Sequence, residues 1–177
     1  MEYKEYLEKS GRTLSGGFHN ADNEVVQAYF NSTIQQYLDA IKKLDMLKKI
    51  IFYGKNIEIE AIISPNQPDY LKHLTKEQQN ILHAAIGYAG ESGEILKEVV
   101  ESFQEKREFD VVNISEEIGD SEWYKAIFLR DFNLDNSNIL AQNIAKLEKR
   151  YKDNIFKKEE ALNRDLKTER KILEENQ

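Results

Sequence analysis

From about residue 22 onward, apolar residues recur every three or four positions, with polar residues between them on the opposite side. Val26, Tyr29, Phe30, Thr33, Ile34, Tyr37, Leu38, Ile41, Leu44, Leu47, Ile50 and Ile51 make one continuous stripe. That period predicts a long amphipathic helix over residues 22–53, closed by Gly54 as the residue just past its end. A short helix over 1–10 precedes it, interrupted by Gly11 and Ser15-Gly16-Gly17, with Asn20 or Asp22 as the next cap. Residues 55–74, which include Ser64-Pro65-Asn66-Gln67-Pro68, read as a connection.

Thr75, with Gln78 three residues on, predicts a capping box that opens a second long helix. Its apolar arc is Ile81, Ala85, Tyr88, Ala89, Ser92, Ile95, Leu96, Val99 and Phe103. The pattern lapses over Gln104–Asp110, a charged link. A third helix, capped by Asn113 or Ser115, runs to about Asp131, and a fourth, from about Asp135 to Tyr151, buries Leu140, Ile144, Leu147 and Tyr151. The remainder, Lys157–Gln177, is a charged helix with a thin stripe of Leu162, Leu166 and Leu173. With only two prolines and no convincing alternating segment, the expected fold class is all-α. The expected organisation is a single domain over 1–177: a helical extension and connection over 1–74, a core over 75–151 and a charged tail over 152–177.

Composition narrows the function classes. The chain has 177 residues, a domain-sized length with enough apolar residues for a core. It has no cysteine, which removes disulfides, zinc-thiolate sites and thiol nucleophiles, and makes the cytoplasm the simplest location. No apolar run reaches the ~20 residues that span a bilayer, so no membrane partner is expected. A net charge of −7 argues against binding a nucleic acid polymer, yet leaves room for a small polyanion held through a metal ion.

Chemistry concentrates between Gly90 and Asp120. Glu91 and Glu94 are spaced i, i+3 on the second helix, as are Glu117 and Asp120 on the third. Glu91, Glu94 and Glu98 fall on one strip beside the apolar arc, which His83 and Gly87 continue toward the N-terminus. Glu117 and Asp120 fall in the sector of Tyr124, Ile127 and Phe128, so both are expected to face inward. Four converging carboxylates repel one another and lose hydration, which cations relieve. All-oxygen ligation suits Mg²⁺ or Mn²⁺, and two such ions balance the four charges. Gly87, Gly90 and Gly93 each cost the helix about 1 kcal/mol relative to Ala, which is reasonable where something approaches the backbone closely. On the fourth helix Asn143, Lys146 and Arg150 share an edge, a cationic clamp for phosphate.

Three segments together resemble the MazG-like all-α nucleoside triphosphate pyrophosphohydrolases: Ala84-Ala85-Ile86-Gly87-Tyr88-Ala89-Gly90-Glu91-Ser92-Gly93-Glu94, Glu116-Glu117-Ile118-Gly119-Asp120-Ser121-Glu122-Trp123-Tyr124, and Asn143-Ile144-Ala145-Lys146-Leu147-Glu148-Lys149-Arg150-Tyr151. The likeness covers about residues 75–151. It implies a four-helix-bundle core, to which this chain adds a long N-terminal helix and a charged C-terminal helix, and a homo-oligomer, dimer or tetramer. It also implies Mg²⁺-dependent cleavage of a nucleoside triphosphate between its α and β phosphates, giving a monophosphate and pyrophosphate. By position, Glu91, Glu94, Glu117 and Asp120 become metal ligands, with Glu98 a further candidate. Lys146 and Arg150 become phosphate contacts, Asn143 lies beside them, and Tyr124 falls where the family meets the nucleotide. The N-terminal region, with Arg12-Thr13, resembles that of phage members, and Ser121 and Glu122 stand where small aliphatic residues are common in the family.

His83 is open to a base or phosphate contact and to a core hydrogen bond. Trp123 and Tyr88 are expected in the core rather than stacked on a base, and Lys97 and Lys125 read as phosphate contacts or surface charges. Two rival functions stand beside the hydrolase. A non-hydrolytic nucleotide-binding or regulatory protein would retain the same bundle. A di-iron carboxylate bundle would need Glu-x-x-His, whereas Lys97 and Asp120 follow Glu94 and Glu117 at that spacing.

Overall fold

The computed structural model describes residues 1–14, 20–59 and 71–174. Among them 75% are helical and none is in a strand, which gives an all-α protein. The helices are α1 (Tyr3–Gly11), α2 (Glu24–Tyr53), α3 (Lys76–Glu105), α4 (Val111–Asp131), α5 (Asn136–Arg150), α6 (Lys158–Leu162) and α7 (Leu166–Glu174). The breaker Ser15-Gly16-Gly17 and the Pro65–Pro68 connection lie outside the described residues. No helix among those described is long and apolar enough to cross a membrane.

Packing groups the chain into two compact units, residues 24–133 and residues 1–23 with 134–177. In the first, α3 packs along both α2 and α4. The α3 start is the expected capping box: Gln78 N–H donates to Thr75 Oγ1, and the Gln78 side chain accepts from the Thr75 backbone N–H. Gly54, at φ +66°, ends α2 in the left-handed region as expected, and the Lys55 N–H returns to the Lys49 carbonyl. α4 begins earlier than expected, because Asp110 rather than Asn113 or Ser115 is the cap and accepts from the N–H groups of Val112 and Asn113.

The strip of α3 that is buried differs from the predicted arc. Ala84, Gly87, Gly90, Gly93, Glu98 and Ser102 are buried, whereas Ala85, Tyr88, Ser92 and Phe103 are exposed. Two of the glycines explain this. A β-carbon on Gly87 would overlap the Tyr124 ring, and one on Gly93 would sit 2.6 Å from Ile41 Cγ2, so α4 and α2 approach α3 closely at these points. Gly90 has open space in front of it. Trp123 is also exposed rather than in the core, while Tyr124 is buried on Ala84 with Ile127 and Phe128.

In the second unit α5 packs against α1 and α7. The charged tail is two short helices, and Leu162 and Leu166 of its expected stripe are exposed. Its most buried residue among those described is charged: Glu169, which receives paired hydrogen bonds from Arg150 and from Arg164.

Candidate metal centre

In the unit of α2, α3 and α4, a cleft is lined by Ile41, Asp45, Lys48 and Lys49 of α2, Gly90, Glu91 and Glu94 of α3, and Glu117 and Asp120 of α4. Carboxylate oxygens of Glu91, Glu117 and Asp120 lie within 4.8 Å of one another. Helical spacing places Glu91 one turn before Glu94 and Glu117 one turn before Asp120, and the close approach of α4 to α3 over Gly87 brings the two strips together. Glu117 and Asp120, expected to face inward, do turn toward Glu91, but at an open cleft: Glu117 is half-buried and Asp120 exposed. Glu91 is the most enclosed of the three, its side chain 12% exposed.

Burial, then the hydrogen bond and charge of Glu91 and the charges of Glu94 and Glu116, push the Glu117 carboxyl up to about 7. That is the strain expected of carboxylates gathered without enough positive charge. Three close oxygen ligands, with no sulfur or imidazole among the described residues that line the cleft, fit a hard divalent ion such as Mg²⁺ or Mn²⁺.

Glu94 lines the same cleft but stands outside the triad and accepts a hydrogen bond from Lys97 at 3.1 Å. Glu98 is not available to a metal. Its carboxylate is 8% exposed as a residue and receives both terminal nitrogens of Arg107, the Ser102 hydroxyl and the Asp110 N–H. Arg107, followed by the Asp110 N–H, holds that carboxyl down to about 2. Glu98 instead fastens the end of α3 to the cap of α4.

Lys48 is the residue that sequence reasoning missed. It is 6% exposed, with its ammonium 3.4 Å from Glu91 Oε1 and 3.3 Å from Asp45 Oδ1, and 5.3 Å from the centre of the Tyr124 ring. Burial works against its charge, but Tyr124, Glu91 and Asp45 outweigh it and the lysine pKa is raised. The signal was present: Lys48 follows Ile41 by seven positions and so sits on the buried stripe of α2.

Beyond Lys48 lies an aromatic group. His83 stacks on Phe52 at 4.4 Å between ring centres and meets Tyr53, Trp123 and Tyr124 edge-on. Its Nε2 is 3.3 Å from the Tyr53 hydroxyl, which is 3.4 Å from the Tyr124 hydroxyl. Burial, with the charges of Lys48 and Lys76, lowers the His83 pKa and so favours the neutral imidazole.

Asn143, Lys146 and Arg150 belong to the other unit. Asn143 Oδ1 accepts from the Tyr6 hydroxyl, and Lys146 is half-buried, its pKa lowered by burial and by Arg150. Arg150 donates through Nε and Nη2 to the two oxygens of Glu169, at 2.9 and 2.8 Å. Lys125 is paired with Glu122.

No family model, no curated protein and no solved structure matches the chain. The resemblance described above therefore rests on its three motifs.

Proposed function

We propose that the protein is a metal-dependent nucleoside triphosphate pyrophosphohydrolase of MazG-like type, with a four-helix core. The observation that carries this reading is the convergence of Glu91, Glu117 and Asp120 within 4.8 Å, at three of the four positions singled out by the motifs. These three carboxylates would hold a first Mg²⁺ or Mn²⁺, and Glu94, on release from Lys97, would complete a second ligand set. When bound, such an ion supplies a water of lowered pKa and neutralises charge on the phosphates. In the reaction a water oxygen bonds to the α-phosphorus, and the bond to the oxygen bridging to the β-phosphorus breaks. Pyrophosphate leaves with the electron pair. The chain's own part is to hold the triphosphate in line over the carboxylate cleft, and the neighbouring aromatic group of Phe52, Tyr53, His83 and Trp123 offers apolar faces for the base.

Pyrophosphate release from a panel of nucleoside and deoxynucleoside triphosphates with Mg²⁺ tests the reading. Turnover should disappear in Glu94→Gln and Asp120→Asn; undiminished turnover in both would sink the assignment. One observation favours the non-hydrolytic alternative, since the Arg150 guanidinium expected to steady the leaving pyrophosphate is engaged by Glu169. Binding of triphosphate without turnover in the parent protein would select that reading.

A further inference from the structure

Lys48 is a buried cation aimed at a carboxylate that the proposed metal also needs. A lysine this enclosed has to be compensated, and two carboxylates do so from different helices: Asp45, one turn back on α2, and Glu91, across on α3. The Asp45 contact lies within one helix, where Asp45 also meets Lys49, and so does not depend on Glu91. The Glu91 contact cannot persist unchanged once Glu91 ligates a divalent ion, because ammonium and metal would share one carboxylate at contact distance. The triphosphate, in turn, carries more negative charge than a metal on three carboxylates offsets, and needs a cation from the protein.

We propose that Lys48 is the resident cation of the site: it neutralises Glu91 before a divalent ion arrives, yields that carboxylate to the ion while Asp45 keeps it tethered, and then binds the phosphate oxygens of the nucleotide. This inference rests on the metal-centre reading and adds to it the residue that supplies positive charge to the substrate. It makes a demand that a purely structural ion pair does not, namely that loss of the ammonium changes the two affinities in opposite directions. Metal binding gains a competitor-free carboxylate, and nucleotide binding loses a cation.

The test uses the full chain and two probes, Mn²⁺ alone and an α,β-methylene nucleoside triphosphate in the presence of Mg²⁺, both read by titration calorimetry. Lys48→Met should bind Mn²⁺ about tenfold more tightly and the analogue about tenfold more weakly than the parent. Lys48→Arg should keep the analogue affinity. Circular dichroism checks that each variant is folded, and Lys48→Gln takes the place of Lys48→Met should that variant fail to fold. Unchanged or weaker Mn²⁺ binding in the neutral variant, or unchanged analogue binding, overturns the assignment of Lys48 while leaving the metal centre standing. Absence of Mn²⁺ binding to the parent overturns the metal centre, and this inference with it.

Discussion

The ring of Tyr124 lies against the backbone of Gly87, where even a methyl side chain would overlap it. This contact sets the spacing between α3 and α4, and therefore brings Glu117 and Asp120 to Glu91.

Substitution of the glycines of α3 should separate packing from site. Gly87→Ala places a β-carbon inside the Tyr124 ring and should destabilise the protein by about 1–3 kcal/mol despite a better helix former. Gly90 has open space at the cleft, so Gly90→Ala should stabilise by up to about 1 kcal/mol. Thermal unfolding measured on both variants gives opposite signs if the glycines play these distinct parts.

The raised pKa of Glu117 makes the metal-free protein sensitive to pH. A carboxyl whose pKa is raised on folding contributes most below its unfolded value, near pH 4.5, and that contribution is lost as pH rises toward about 7. A divalent ion requires the ionised form, so Mn²⁺ affinity should strengthen over the same rise. The proton released on binding can be measured by calorimetry in buffers of different ionisation enthalpy. Glu117→Gln should abolish both effects.

Glu98 has the opposite sign. Its carboxyl is held down to about 2 by Arg107 and the Asp110 N–H, so its stabilising contribution is present above about pH 4.5 and is lost as pH falls toward 2. Glu98→Gln should lower the melting temperature at neutral pH and flatten its decline in acid, with Mn²⁺ affinity retained by the folded fraction. Loss of Mn²⁺ binding from fully folded Glu98→Gln would restore Glu98 as a ligand.

Glu169 anchors α7 to α5 through Arg150, and Arg164 joins the same carboxylate. Glu169→Gln removes the charge that both guanidinium groups share, and hydrogen exchange of the α7 amides should accelerate by about tenfold or more. Unchanged exchange would mean that α7 is held by other contacts.

What periodicity encodes was readable from the chain. Helices α1 to α5, the Thr75–Gln78 box and the i, i+3 carboxylates all depend on spacing within one segment. The residues that were misread depend on contacts between segments. Weighting large apolar side chains placed the buried face of α3 on Tyr88 and Phe103, whereas glycine and alanine, small enough to admit α2 and α4, form it. Glu98 looked like a third member of the acidic strip because nothing local announces Arg107, which returns from beyond the helix end. Arg150, expected on phosphate, is paired with Glu169 of the charged C-terminal segment, a partner that no local spacing announces. Lys48 was hidden among Asp45 and Lys49, an ordinary surface pattern except that one member falls on the apolar stripe.

Whether Glu91, Glu117 and Asp120 hold one metal ion is read by diffraction at the manganese absorption edge from crystals grown with Mn²⁺. An anomalous peak bonded to oxygens of all three carboxylates is the predicted result; crystals that bind manganese elsewhere while this cleft shows no peak would contradict it.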